Sequence, residues 1–479
     1  MVFSSIIFVC YFLPAFFLLY WLLPFRNTFI LLASLFFYAW SEPGNLGVLL
    51  PFIVVNWLFG IAIARSAGSA RRVLFVAGVV ADMGFMLYFK YLGFLVQQLN
   101  TGLGWLHTAP LPDPHVALPL GISFFVFQGI SYLTDIHRGD VKVQRNLITF
   151  AAYKSMFPQL IAGPIVRYSQ VARKFAQRRV TLFRLHTGVA MFIIGLAQKT
   201  LVANVVAQPA NDLFSLPHDQ LSLTAAWFGV TCYALQIYFD FAGYSNMAIG
   251  MGHMMGFTFP ANFNLPYASR SVTEFWRRWH MTLSSWFRDY VYIPLGGNRH
   301  GRLRTYANLV TVFLLCGFWH GANWTFAAWG LWHGMFLAIE RMGLSNLLAR
   351  CPAFLRHVYT MIAVMAGWVL FRADTIEGAG GFMAAMIGAG RGTEASLPIE
   401  QYATPSVLTA ILIGCLCAVT PRPNPRALTR RLQPHMGGGR LIAGFTVDVV
   451  LSAVLLILVV LSLATLAAGS FNPFIYFRF

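Results

Sequence analysis

The chain has 479 residues, of which 58% are hydrophobic, 16% aromatic and only 10% charged. Soluble domains carry roughly a quarter charged residues, so water is excluded as the main solvent, and no soluble domain of any size remains between the apolar blocks. The 34 Lys and Arg outnumber the 16 Asp and Glu, for a formal net charge of +18; in an apolar chain that excess marks loop topology and contact with anionic lipid, and no nucleic-acid partner is expected.

In chain order, apolar blocks fall at 3–23, 46–64, 73–95, 118–132, 188–205, 224–249, 309–318, 324–339, 358–370, 405–419 and 447–466. A helix needs roughly 20 residues to cross a hydrocarbon core, which predicts about eleven transmembrane helices, the short ones being re-entrant or buried. Unbroken blocks, not alternating strands, make the fold class all-α and polytopic. The first block lacks a basic leader and a small-residue cleavage site, so it is read as a retained helix. The stretch 147–166 contains Phe157-Pro-Gln-Leu-Ile-Ala-Gly-Pro164 between two basic loops and predicts a broken re-entrant element. The six cysteines lack metal-type spacings and read as small apolar core residues.

Basic residues cluster at 65–72, 167–184, 270–304, 341–356 and 422–431, whereas the loops 100–117, 208–220 and 373–404 are almost free of them. The alternation puts the basic loops in the cytoplasm and both termini on the opposite side.

Between 260 and 304 the chain turns basic and tryptophan-rich. At the helical step, Phe275, Trp276, Trp279, Leu283, Trp286 and Phe287 share one sector while Glu274, Arg277, Arg278, Arg288 and Asp289 take the rest, which predicts one amphipathic interfacial helix over 271–289. His280 falls at the edge of the apolar sector. Downstream, Trp319-His320-Gly and Trp332-His333-Gly stand in apolar surroundings, where polar groups are costly and become functional candidates. A desolvated His320 stays neutral with one nitrogen free to take a proton, as a general base requires. Gly317 and Gly321 are expected to leave room for a slender acyl chain beside it. Asp240, within an apolar block, calls for a cation such as an arginine of 270–304. His280, His320 and His333 lack metal-motif spacing, so no metal is expected.

The stretches Tyr238-Phe-Asp-Phe-Ala-Gly-Tyr-Ser, Glu274-Phe-Trp-Arg-Arg-Trp-His280-Met-Thr-Leu-Ser, Trp286-Phe-Arg-Asp-Tyr-Val-Tyr-Ile-Pro-Leu-Gly-Gly-Asn298 and Phe318-Trp-His-Gly-Ala-Asn-Trp resemble the bacterial branch of the membrane-bound O-acyltransferase family, in particular its members serving alginate O-acetylation. Leu118-Pro-Leu-Gly-Ile-Ser-Phe-Phe and the closing Phe-Ile-Tyr-Phe extend the likeness over nearly the whole chain.

The resemblance implies a single funnel-like domain over 1–479, with a catalytic core near 118–340 that includes the interfacial segment 260–304, and peripheral helices in 1–97 and 357–479. It implies catalytic roles for His320 and His280; beside them Asn323, Trp319, Arg277, Arg278, Arg288, Asp240 and His333 are expected to support the site or bind the donor. It implies no permanent cofactor, acetyl-CoA as a cytoplasmic donor meeting the arginines, and a periplasmic SGNH-type partner protein that passes acetyl to an exopolysaccharide, all at a bacterial inner membrane. A polysaccharide-precursor transporter or flippase, or a secretion scaffold, is the alternative.

Overall fold

The computed structural model describes residues 2–390, 392–393, 398–420, 440–469 and 474–475, and their regular elements are all helical. The basic cluster 422–431 lies outside the described residues, as do parts of the loop 373–404 and of the C-terminal motif. In chain order the helices are α1 (Ile7–Leu22), α2 (Arg26–Ser41), α3 (Leu46–Arg65), α4 (Gly68–Trp105), α5 (Ile122–Arg138), α6 (Leu147–Ser155), α7 (Phe157–Leu160), α8 (Tyr168–Ala176), α9 (Leu182–Ser215), α10 (Leu223–Met254), α11 (Val272–Arg278), α12 (Met281–Phe287), α13 (Arg302–His320), α14 (Trp324–Ile339), α15 (Ala353–Arg372), α16 (Ile376–Met386), α17 (Pro405–Val419) and α18 (Arg440–Ala467).

Five of the described helices are long and apolar enough to cross a bilayer: Pro43–Arg65, Gly68–Trp105, Leu182–Ser215, Ala353–Arg372 and Asp448–Ala467. Leu408, Leu412, Leu456 and Val460 lie exposed on the outer helices, a surface suited to acyl chains and not to water. The apolar blocks seat largely within these helices, and three helices form in stretches to which the sequence assigned none. Arg26–Ser41 is a full helix between the first two apolar blocks, Tyr168–Ala176 forms inside the basic cluster 167–184, and Ile376–Met386 forms inside a stretch read as loop.

Glycine sets the closest helix crossings. A Cβ at Gly195 would stand 2.5 Å from the Gly243 carbonyl oxygen, and one at Gly188 would stand 2.6 Å from that of Gly250. α9 and α10 therefore run antiparallel with their backbones touching, the small-residue packing that replaces hydrophobic drive inside lipid. The same contact brings Lys199 of α9 to 2.7 Å from Asp240 of α10, both side chains almost fully buried, and the backbone N–H of Ile475 donates to the other Asp240 oxygen at 2.8 Å. The arginine expected beside Asp240 is thus replaced by a lysine, because α10 faces α9 at this level and not the 270–304 segment.

The stretch 147–166 is broken as its sequence predicts. α6 ends at Ser155, Met156 leaves helical geometry, and α7 lasts one turn before an irregular return. Its backbone is satisfied from outside and from within: Ser34 Oγ accepts from the Phe157 N–H, and Gln159 of the same stretch donates to the Tyr153 carbonyl. Lys154 points into the core and donates to the Phe125 carbonyl at 2.7 Å.

The segment 271–289 departs from its expectation. It is not one helix: α11 ends at Arg278, Trp279 is extended, and His280 takes a left-handed backbone at φ 42. The wheel continues smoothly across this break, which is why spacing alone misses it. The two short helices fold inward, leaving Trp279 and His280 each 1% exposed.

Candidate active site

His320 is the last residue of α13. At 1.5 Å per residue the 19-residue helix carries it about 27 Å from the arginine-rich start of the helix, nearly the thickness of a hydrocarbon core. A helix end in such a place leaves carbonyls without partners. Here the Tyr91 hydroxyl donates to the Phe318 carbonyl at 2.6 Å, and Lys90 Nζ donates to those of Trp319 and His320 at 2.6 and 3.1 Å. Lys90 also donates to Ser123 Oγ at 3.1 Å. A cation at a helix C-terminus complements the helix dipole, and this one holds the histidine's own backbone.

The ring of His320 sits edge-on to Trp319, Trp329 and Phe371, with centroids 4.8, 5.0 and 5.0 Å away. His280 also meets Trp319, with ring centroids 6.2 Å apart. Trp319 thus packs against both histidines and is backed by Phe124 and Phe127. His280 Nδ1 lies 2.9 Å from Asn262 Oδ1, and Phe241 closes on the imidazole edge-on at 4.6 Å. A non-glycine residue in the left-handed region costs of order 1–3 kcal/mol and persists where the surroundings over-determine it, often at functional sites. At His280, Met281 N–H bonds back to the Asn262 carbonyl and supplies that constraint.

His333 stands apart from this pair. It is fully buried against Trp276 and Trp329, 5.0 and 5.3 Å between centroids, so Trp329 separates it from His320. A Cβ at Gly367 would meet its Nε2 at 2.5 Å, which makes it a packing partner of α15. Asn323 is also committed: its Oδ1 caps α14 by accepting from Thr325 N–H, and its Nδ2 donates to the Asp374 carbonyl.

Gly317 and Gly321 do not open space for an acyl chain. A Cβ at Gly317 would overlap the Phe326 carbonyl oxygen, and one at Gly321 would overlap the Phe326 ring. With Gly330, whose Cβ would overlap the Phe313 carbonyl, they bring α13 and α14 into backbone contact.

The space lies on another face. A cavity of about 690 Å³ opens among Arg277, Arg288 and Arg341 and is walled deeper in by Trp276, Phe313 and Cys316. From α13 it takes Leu309, Val312, Phe313 and Cys316, one stripe at helical spacing, and the next rung of that stripe is His320. Arg277 and Arg341 are exposed at the rim. Arg288 is paired with Asp289 at 2.7 Å, and Arg278 with Glu274 at 2.8 Å and the Asn264 carbonyl at 3.2 Å. Asp240 is absent from the cavity lining, being held by Lys199. Among the described residues no group of three His, Cys, Asp or Glu could hold a metal.

The structure thus brings His280, Trp319 and His320 together, places Arg277 and Arg288 at the cavity mouth, and leaves Asp240, His333 and Asn323 to packing and capping. Sequence reasoning did not single out Lys90, Tyr91 or Asn262. For Lys90 a signal existed, since a lone lysine inside the block 73–95 is costly unless partnered.

His280 and His320 thus meet at Trp319, each about one helical turn from residues that line the arginine-rimmed cavity. Residues 124–376 match the membrane-bound O-acyltransferase family, and the chain belongs to it. It is 42% identical over 502 residues, covering all of both chains, to a protein of Azotobacter vinelandii named "Probable alginate O-acetylase AlgI". It is 35% identical over 426 residues to the peptidoglycan O-acetyltransferase of Helicobacter pylori, covering 81% of this chain and 80% of that one. It is 30% identical over 244 residues to the teichoic acid D-alanyltransferase of Bacillus subtilis, covering 48% of this chain and 61% of the relative. The protein is a multi-pass membrane O-acyltransferase.

Proposed function

We propose that this enzyme moves an acetyl group from a cytoplasmic thioester, acetyl-CoA, to a hydroxyl presented from the periplasmic side of a bacterial inner membrane, in the O-acetylation of an exopolysaccharide. The observation that carries this reading is the alignment on α13: the cavity that begins at Arg277, Arg288 and Arg341 ends at Cys316, one turn short of His320. Guanidinium groups suit the phosphates of a nucleotide thioester, and the apolar depth suits its pantetheine arm.

In the proposed step His320 accepts the proton of the acceptor hydroxyl as its oxygen attacks the thioester carbonyl. The carbon–sulfur bond breaks, the ester forms, and the departing thiolate takes up the proton. The charged donor never crosses the bilayer; only the acyl group does. With the basic loops in the cytoplasm both termini are periplasmic, and the acceptor reaches the site from that side. The acceptor is an SGNH-type partner protein, which relays acetyl to the polysaccharide, or the polysaccharide hydroxyl itself. The relatives named for alginate and peptidoglycan acetylation support acetyl as the group moved.

The test is consumption of labelled acetyl-CoA by the purified protein in lipid, with candidate partner proteins, for wild type and His320→Ala. Label leaving CoA in wild type and not in a folded His320→Ala supports the reading. Full transfer by His320→Ala sinks the mechanism.

A further inference from the structure

The hydrogen-bond network under His280 determines which of its nitrogens carries the hydrogen. Ile165 N–H can only donate, and it points at Thr282 Oγ1 at 3.1 Å. The Thr282 hydroxyl hydrogen is therefore free for Asn262 Oδ1, 2.9 Å away. Thr282 N–H, also an obligate donor, faces that same Asn262 atom at 3.4 Å, while the opposite end of the amide faces Ser245 Oγ at 3.0 Å. The Asn262 atom shared by these donors is thus the oxygen. His280 Nδ1, 2.9 Å from it, must be the donor N–H. Nε2 is then the bare nitrogen, and among the described residues it has no hydrogen-bond partner.

Resting on the acyl-transfer reading above, we infer that Asn262 is the positioning residue that locks His280 in the tautomer with hydrogen on Nδ1, so that Nε2 enters the reaction as an acceptor. A histidine in this state cannot donate a hydrogen bond to the acyl carbonyl. At Nε2 it can only accept one, while the proton of the acceptor hydroxyl goes to His320. The amide does this because it is locked at both ends: its oxygen takes the donors of Thr282 and His280, and its Nδ2 is held by Ser245. Asn262, Thr282 and His280 are all buried, 1%, 4% and 1% exposed, so water does not compete for the same bonds.

The groups that face His280 leave the tautomer to Asn262. α10 presents Phe241 to the ring and Ser245 to Asn262, and the irregular segment after α7 presents the Ile165 backbone to Thr282. From α13 come Trp319 and, behind it, His320, the near titratable group, with the Lys90 ammonium beyond it bound to carbonyls. Among these no carboxylate reaches the ring.

The experiment is solid-state nitrogen NMR on the full chain in lipid with ¹⁵N-labelled histidine, the His280 signals being identified by subtracting the spectrum of His280→Gln. The expected wild-type spectrum has a protonated Nδ1 and a bare Nε2. Asn262→Ala should mix or reverse the two, and Asn262→Asp, which keeps the acceptor oxygen, should retain them. A wild-type His280 protonated on Nε2, or an Asn262→Ala spectrum identical to wild type, overturns the inference. If Asn262→Ala does not fold, the wild-type and Asn262→Asp spectra decide. A parallel pH profile of acetyl-CoA consumption should show the acid limb for Asn262→Asp moved up by about one pH unit or more, because a carboxylate beside Nδ1–H favours the imidazolium. An unmoved limb in an active Asn262→Asp enzyme means that His280 Nε2 is not an acceptor in the reaction. Absence of any consumption with the expected spectrum would refute the acyl-transfer reading and leave the tautomer lock standing.

Discussion

Lys90 Nζ lies 2.6 Å from the carbonyl oxygen of Trp319, so a residue from the first third of the chain holds the peptide that precedes His320. The two residues are 229 apart in sequence, and their bond ties α4 to the end of α13. All three ammonium donors are used, on Trp319, His320 and Ser123, and the role of Lys90 is therefore to position the histidine.

Removing that ammonium tests the role. Lys90→Met keeps the length and apolar stem but strands two carbonyls, each costing about 1–3 kcal/mol when buried. A shift of about 1 Å at a reacting group can cost about 100-fold in rate, so kcat should fall about 10- to 100-fold with KM for the thioester little changed. Tyr91→Phe, which frees one carbonyl, should be milder. A Lys90→Met enzyme with wild-type kcat would separate the clamp from catalysis.

How much of this was legible beforehand follows from what each residue does. Trp319 and His320 stood out because a polar ring amid apolar residues is conspicuous, and the breaks at Met156 and Pro164 carried their own prolines. The left-handed turn at His280 had no such sign: its neighbours are not glycine or proline, and the 100° spacing runs on through it. Asp240 clearly needed a cation, but which one depended on the glycine-mediated contact of α9 with α10, a tertiary fact. Gly317 and Gly321 were read as vacancy where the structure uses them for contact, since a missing side chain looks the same in sequence whether a ligand or a helix fills its place.

The two glycines make separable predictions. A methyl at residue 317 meets backbone, the Phe326 carbonyl, which cannot move without displacing α14; a methyl at residue 321 meets the Phe326 ring, which can be shortened. Both Gly317→Ala and Gly321→Ala should destabilise by about 1–3 kcal/mol, the usual cost of overpacking. Adding Phe326→Leu should rescue Gly321→Ala and leave Gly317→Ala unrescued, as read by thermal unfolding in detergent. Equal rescue of both would mean that α14 yields as a body.

The buried pair of Lys199 and Asp240 should behave as one unit. Breaking a buried ion pair from one side costs about 3–5 kcal/mol, because the remaining charge is left without its partner. Lys199→Met and Asp240→Asn should each lower stability by an amount of that order. The double variant should be less damaged than the sum, with a coupling energy above about 1 kcal/mol. Simple additivity would show that the 2.7 Å contact contributes nothing specific.

Beside the cavity mouth, Asp289 links the arginine segment to the start of α8. Burial raises its carboxyl pKa, but hydrogen bonds from Arg288 and Arg167 more than offset this and hold it below the ordinary carboxylate value. The depressed group binds its proton less readily when folded, so its stabilising contribution is present above the unfolded pKa of about 3.9 and is lost as pH falls through the lower folded value. Wild type should therefore lose stability below about pH 4 more steeply than Asp289→Asn, measured by unfolding temperature across pH 3–6. Because Arg288 faces both Asp289 and the cavity, Asp289→Asn should also free that guanidinium for the donor and lower KM for acetyl-CoA, whereas Arg277→Ala, removing an exposed rim cation, should raise it, each by about threefold to tenfold at low salt and less at high salt. Salt-independent KM values in both variants would show that the rim arginines do not meet the donor's phosphates.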